Sequence, residues 1–252
     1  MKKFVKNYWK TLAFFAVMGL IGGFCVGLYA LESYPADMRE QLLAQGLSAE
    51  SLAVVSAVQA AGYGLILGAI GIVLAKKVGL WKDETCFEKK PLGAAIVVSA
   101  IGGLAMIGLD LFWFGKFSHS IRDSYLVKPT LAYIFGSVTY GAVIEEVMLR
   151  LFMMSLIAWV LHAVFERKKD AASVWILVLA NVISALLFAA GHLPATSIVL
   201  GLSPMILVRC FLLNGGIGLL FGWLYRRYGL RYAMIAHGGC HIVSKTIWIL
   251  FL

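Results

Sequence analysis

Ionisable side chains interrupt one of the longest apolar stretches of the sequence, and their spacing is suited to chemistry. The stretch contains Glu145 and Glu146, followed by Arg150. Because Glu146 and Arg150 are four residues apart, they share a helix face, where an ion pair would reduce the cost of burial. Glu145 points roughly 100° away from Glu146 on a helix. Either one carboxylate is structural and the other faces a cavity, or the group is only a structural clamp with a protonated second glutamate.

Three histidines lie in two further apolar stretches. Pro194 is expected to stop or kink the helix just after His192, which would leave that imidazole lining a cavity. His237 and His241 are four residues apart and share a helix face, and the two glycines between them allow close helix approach or water access. Each histidine could instead be an ordinary hydrogen-bonded residue. Two imidazoles on one face of an apolar segment favour a functional role.

The composition places these groups in a membrane protein. Hydrophobic residues make up 61% of the 252 and charged residues only 14%, whereas a soluble domain carries about 25% charge. The net charge of +9 is gathered in short clusters between apolar stretches, which argues against a nucleic-acid partner. The four cysteines have no paired spacing typical of a disulfide or metal site.

Seven apolar stretches are long enough to cross a bilayer, which takes about 20 helical residues. They cover residues 11–31, 52–75, 92–114, 130–165, 172–191, 205–225 and 232–252. The sequence therefore predicts an all-α, polytopic membrane helix bundle of about seven to eight transmembrane helices. The fourth, fifth and seventh should form a polar intramembrane chamber, lined or braced by Arg209 and Asn214 of the sixth. We divide this one integral-membrane domain into N-terminal helices, 1–129, and a C-terminal core, 130–252.

The charges outside the apolar stretches predict the orientation. Basic residues cluster at the N-terminus and in the second, fourth and sixth loops: Lys2, Lys3, Lys6 and Lys10; Lys76, Lys77, Lys82, Lys89 and Lys90; Arg167, Lys168 and Lys169; Arg226, Arg227 and Arg231. The first loop, 32–51, is acidic instead. Because positive loops stay in the cytoplasm, we expect a cytoplasmic N-terminus in a multi-pass protein of the plasma (inner) membrane.

The three polar motifs together resemble those of the CPBP family, the CAAX protease and bacteriocin-processing or Abi family of intramembrane proteases. That family's motifs are EExxxR, FxxxH and HxxxN. The matching residues are Glu145, Glu146 and Arg150; Phe188 and His192; and His237 with position 241. The resemblance covers about residues 130–252, which makes this part a CPBP-like catalytic core. The sequence departs from the pattern at Leu149 and Leu151, which flank Arg150, and at His241, which stands in the Asn position.

The resemblance implies an intramembrane endopeptidase that hydrolyses a peptide bond with a glutamate-activated water. Glu145 would be the general base, His192 would hold the water, and His237 with His241 would stabilise the oxyanion. Glu146 completes the expected catalytic set, and Arg150 and Phe188 would support it. No cofactor is expected. Because three imidazoles and a carboxylate also suit zinc, a zinc-dependent protease with ligands His192, His237, His241 and Glu145 is the alternative.

Two other classes of function stay open. The His241 departure is compatible with a catalytically inactive family member that acts as a membrane binding or bacteriocin-immunity protein. A small transporter could use Glu145, Glu146 and Arg150 as a proton or ion relay, although no broken-helix inverted repeat is visible. The expected partners are a peptide or membrane-protein substrate and membrane lipid.

Overall fold

The regular secondary structure is entirely helical in the part of the protein that its computed structural model describes, residues 2–82 and 86–252 without the side chains of residues 2, 3 and 5. Lys2 and Lys3, which contribute to the predicted orientation, thus lie outside the described side chains. The helices are α1 (Lys2–Ser33), α2 (Ala36–Ala44), α3 (Ala49–Lys77), α4 (Lys89–Phe117), α5 (His119–Ser124), α6 (Leu131–Phe165), α7 (Val174–Leu200), α8 (Pro204–Tyr228) and α9 (Leu230–Phe251). The predicted all-α polytopic membrane bundle is confirmed.

Six of the described helices are long and apolar enough to cross a membrane: α1 (from Lys6), α3, α4, α6, α7 and α8. The seventh predicted span coincides with α9, which has 22 residues but is not among these six helices. Its apolar character is diluted by Arg231, His237, His241 and Lys245. With seven long helices in the described chain, no segment is left there for an eighth span.

The close approach of α1 and α3 depends on glycines spaced four residues apart. Gly19, Gly23 and Gly27 lie on one face of α1, and a Cβ atom on any of them would overlap backbone atoms of α3. Small residues at this spacing let membrane helices pack through backbone contacts, because lipid offers no hydrophobic drive for association. The α1–α3 pair also packs against α6, which carries the two adjacent glutamates.

The predicted stop of the helix just after His192 is wrong, whereas the alternative, a kink at Pro194, stays a prediction. Helix α7 continues through Pro194 to Leu200 instead of ending near Gly191. The physical reason is the apolar surroundings, in which free backbone groups are costly, so a helix that loses one hydrogen bond at a proline still keeps its others. His192 therefore lies within a helix, about two turns before its end.

Helix α6 departs from α geometry around the glutamates. Residues Ser137–Glu145 and Val147–Met154 are π-helical. Such segments are rare and occur frequently at functional sites, because the wider turn changes which side chains face a neighbour. The sequence analysis assigned the faces of α6 with 3.6 residues per turn, which is the wrong period for these π-helical segments.

Arg209 of α8 braces α4 instead of the histidine cluster. Its guanidinium donates two hydrogen bonds of 2.6 Å to the buried carboxylate of Asp110, which also accepts a 2.8 Å bond from Tyr125. The Asn214 amide donates to Cys210 Sγ on its own helix. These hydrogen bonds do not involve the histidines, so the role of both side chains in lining or bracing the chamber stays a prediction.

The loop between α6 and α7 is organised by Glu166. Its carboxylate accepts hydrogen bonds from Lys169 Nζ (2.7 Å), from the backbone and hydroxyl of Ser173 (2.9 and 2.7 Å), and from Trp175 Nε1 (3.1 Å). These donors, the Lys169 ammonium first, lower the pKa of Glu166 to about 2. The carboxylate thus ties the end of α6 to the start of α7.

We expect Glu166→Gln to lower the Tm of the detergent-solubilised protein at pH 7. The folded-state pKa lies below the unfolded value of about 4.3, so the stabilising effect is present above that pH and is lost as the pH falls through about 2. The difference in Tm between wild type and variant should therefore close between about pH 4 and pH 2. The exposed Glu40→Gln is the matched control. A Tm difference that stays constant over this range would contradict the assignment.

Candidate active site

The two adjacent glutamates of α6 face different surroundings. The side chain of Glu145 is 20% exposed and lies toward α7 and α9, whereas the side chain of Glu146 is 0% exposed. A buried carboxylate without solvent needs charged or hydrogen-bonded partners. Of the two carboxylates, Glu145 is thus accessible to a small molecule, whereas Glu146 serves the structure.

Glu146 holds one histidine and one arginine. Its Oε1 accepts a 2.8 Å hydrogen bond from His237 Nδ1 and lies 3.1 Å from Arg150 Nη1. The buried Arg150 also donates a 3.0 Å bond to the carbonyl of Gly218, and its guanidinium lies over the ring of Phe188 at 4.4 Å. This network links α6, α7, α8 and α9.

His192 presents one defined nitrogen to Glu145. Its Nδ1 lies 2.9 Å from the carbonyl oxygen of Phe188. Because a carbonyl can only accept, Nδ1 carries the proton, and Nε2 of the neutral ring is an acceptor. That Nε2 is 4.0 Å from Glu145 Oε1. The separation is too long for a direct hydrogen bond and suits a bridging water.

His237 approaches Glu145 from the other side. Its Nε2 is 3.8 Å from Glu145 Oε2, and its ring stacks on Phe221 with centroids 4.5 Å apart. His192 and His237 therefore flank the more exposed carboxylate at similar distances. Helices α6, α7 and α9 thus meet around Glu145, at the place where the sequence predicts the chamber.

His241 lies one turn beyond His237, with ring centroids 5.1 Å apart. A Cβ atom on Gly141 would be 3.1 Å from His241 Nε2 and 3.6 Å from His237 Nε2. Both Nε2 atoms thus face the space beside Gly141, one turn before Glu145 on α6. The absence of a side chain at Gly141 keeps that space open.

One family match covers this arrangement. The family described as type II CAAX prenyl endopeptidase Rce1-like matches residues 127–243. Over these residues, slightly less than half of the chain, the sequence is similar to this family, in agreement with the resemblance to the CPBP family. The matched range contains Glu145, Glu146, His192, His237 and His241. No curated protein and no solved structure matches the chain significantly. At the family level the match indicates a membrane-embedded endopeptidase of the CAAX type.

The alternative zinc set is not gathered as metal ligands among the described residues. Within residues 2–82 and 86–252, no three His, Cys, Asp or Glu side chains form a group that could hold a metal ion. His237 Nδ1 bonds to Glu146, and His241 Nδ1 lies 3.2 Å from the Lys245 amine. A cationic neighbour of that kind disfavours a bound divalent ion. We therefore derive no step through zinc.

Two residues near the site were missed by sequence reasoning. Gly141 carries no chemical signal of its own, and only the packing shows what it leaves open. Lys245 did carry a signal, because an ammonium within an apolar segment, four residues after His241, is as costly as the glutamates of α6. The positions 237, 241 and 245 share one helix face.

We expect Gly141→Ala to reduce peptide cleavage about 10²-fold, because the methyl group would fill the space that both Nε2 atoms face. Folding, measured as Tm, should change little, since the nearest atoms belong to imidazole side chains. Gly62→Ala is the control, since a Cβ there meets nothing within 4 Å. Equal activity of the two variants would show that the space beside Gly141 is not used.

Proposed function

We propose that this protein is an intramembrane endopeptidase in which Glu145 activates a water molecule for attack on a peptide carbonyl. The observation that carries the proposal is the placement of the Glu145 carboxylate, with His192 Nε2 4.0 Å from one oxygen and His237 Nε2 3.8 Å from the other. Its partial exposure leaves room for a reactant. The match of residues 127–243 to a protease family supplies the reaction class.

The proton positions favour a water held between Glu145 and His192. Glu145 as a carboxylate accepts only, and His192 Nε2 is an acceptor because Nδ1 donates to Phe188. A water can give one hydrogen to each and keep a lone pair for attack. Glu145 then takes one water proton as the oxygen–carbon bond forms, and delivers it to the amine nitrogen as the carbon–nitrogen bond breaks.

The oxyanion would be stabilised from the His237 and His241 side of the site. Because His237 Nδ1 donates to Glu146, its Nε2 can donate only as an imidazolium, whose charge the Glu146 carboxylate balances. His241 Nε2 is the neighbouring donor candidate. Donors directed at the developing negative charge usually make the largest single contribution to such a reaction.

We further propose that the N-terminus and the basic loops face the cytoplasm of a plasma (inner) membrane. Contacts at one end of the bundle support the proposal that the N-terminus and the basic loops lie on the same side of the membrane. Lys76 donates to the Tyr8 hydroxyl, and Lys77 lies over the Trp159 ring at 5.4 Å. Arg231 donates to the carbonyl of Cys86 at 3.1 Å. Positive charge gathered at one end matches the cytoplasmic side. The substrate would be a peptide or the membrane-proximal segment of another protein.

Cleavage of a membrane-peptide library by the purified protein in liposomes tests the function. Products are read by mass spectrometry, with and without a chelator, and metal content is measured on the same sample. Cleavage that survives the chelator supports the glutamate-activated water. Cleavage that the chelator abolishes and zinc restores would support the metallo alternative. Absence of any cleavage by the folded protein would contradict the endopeptidase and favour a binding or immunity role.

A further inference from the structure

A buried lysine lies beside the site and takes no part in the mechanism above. Lys245 of α9 is 4% exposed, and it follows His241 by one helical turn. No carboxylate of the described residues lies within salt-bridge distance of its amine. Removing an ammonium from water without a counter-ion is expensive. Its contacts should therefore explain what the charge does there.

The amine of Lys245 contacts an imidazole and an aromatic ring. Its Nζ lies 3.2 Å from His241 Nδ1 and 4.5 Å from the centroid of the Tyr133 ring. The face of an aromatic ring attracts a cation, more strongly away from water, and this attraction offsets part of the cost of burying the ammonium form. An ammonium has three donors and no acceptor. With Lys245 as the ammonium, its amine is the donor in this contact and His241 Nδ1 is the acceptor.

This contact determines where His241 can donate. A neutral imidazole has one N–H, so a ring that accepts at Nδ1 carries its proton on Nε2. Nε2 of His241 is the atom that faces the space beside Gly141, next to His237 Nε2. The opposite tautomer would present a lone pair there, which repels a developing oxyanion.

We propose that Lys245 is a positioning residue that holds His241 in the Nε2–H tautomer, so that His241 gives the site a neutral oxyanion donor. The inference rests on the proposed function, because the donor matters only if an oxyanion forms. It also accounts for an imidazole at a position where a side-chain amide, with an N–H available in either orientation, would be the simpler donor.

The tautomer is measurable without any catalysis. Nitrogen–proton correlation NMR of the ¹⁵N-histidine-labelled protein should show five imidazoles, and His241→Asn identifies the signals that belong to His241. We expect the Nε2–H pattern in the wild type and its loss or mixing in Lys245→Met. A wild-type His241 protonated at Nδ1 would overturn the proposal, even if Lys245→Met failed to fold.

A double-mutant cycle separates positioning from mere packing. Lys245→Met should lower kcat about 10²-fold in the wild-type background, as expected for loss of an oxyanion donor. In the His241→Asn background the same substitution should change kcat less than about twofold, because the amide needs no tautomer. Lys245→Arg keeps a donor and should retain most activity. Equal losses in both backgrounds would mean a structural role and contradict the proposal.

Failure of this inference is distinguishable from failure of the proposed function. If Glu145→Gln leaves cleavage intact, the proposed function fails, whatever the NMR spectrum shows. If Glu145→Gln abolishes cleavage while the His241 tautomer does not respond to Lys245, only the positioning role fails.

Discussion

Replacing Glu145 with Gln should abolish peptide cleavage, with a loss of kcat of about 10³-fold or more. Gln has nearly the shape of Glu but cannot take a proton from water. The variant should fold normally, because Glu145 is the partly exposed member of the glutamate pair and makes no short hydrogen bond among the described residues. The measurement is initial-rate cleavage in liposomes at saturating substrate.

Two controls make the Glu145 result specific. Glu40→Gln removes a carboxylate at an exposed position of α2, and it should leave both kcat and Tm unchanged. His192→Ala should reduce cleavage less than Glu145→Gln, since it loses one of the two acceptors for the water but keeps the base. A Glu145→Gln variant with more than about a tenth of wild-type kcat would rule out general-base catalysis by this residue.

Replacing Arg150 with Met should destabilise the fold by about 3–5 kcal/mol, because it removes the permanent cation beside the buried Glu146 carboxylate and leaves that carboxylate with the hydrogen bond from His237. Arg150 is 1% exposed and pairs with Glu146 at 3.1 Å, so solvent cannot substitute for the lost partner. The cavity between Phe188 and Phe221 adds to the loss. Denaturant or thermal unfolding in mixed micelles measures the effect.

The matched control for Arg150→Met removes both charges of the pair. The double variant Glu146→Gln with Arg150→Met should recover much of the stability, since an amide is far cheaper to bury than a carboxylate. Its cleavage should stay low, because the introduced neutral amide accepts from His237 but cannot balance an imidazolium. A double variant as unstable as Arg150→Met would show that packing, not charge, dominates at this position.

Much of the site could be predicted because burial makes ionisable residues informative. Glu146 and Arg150 at a spacing of four form the expected pair, and the pair leaves Glu145 facing the histidines. Placing an ion in an apolar helix is costly, so an ionisable residue is retained there only if it has a partner or a role. The same argument applied to Lys245 would have found the partner of His241.

The parts that failed depend on packing between helices. The π-helical segments on both sides of Glu146 depend on how α6 fits its neighbours, and a period of 3.6 residues cannot reveal them. The passage of α7 through Pro194 reflects the shortage of backbone partners in an apolar environment. The ion pair of Arg209 with Asp110 was not predicted, because the two residues are 99 positions apart in the chain.

The position of the oxygen atom after one turnover in ¹⁸O-labelled water tests the central role of Glu145 most directly. If Glu145 activates a water, the label enters the new carboxylate of the product in the first turnover and is not built into Glu145, as mass spectrometry of product and enzyme would show. Label in the Glu145 side chain, together with an unlabelled first product, would mean that the carboxylate attacks the peptide itself. That result would contradict the role of Glu145 as the base that activates water.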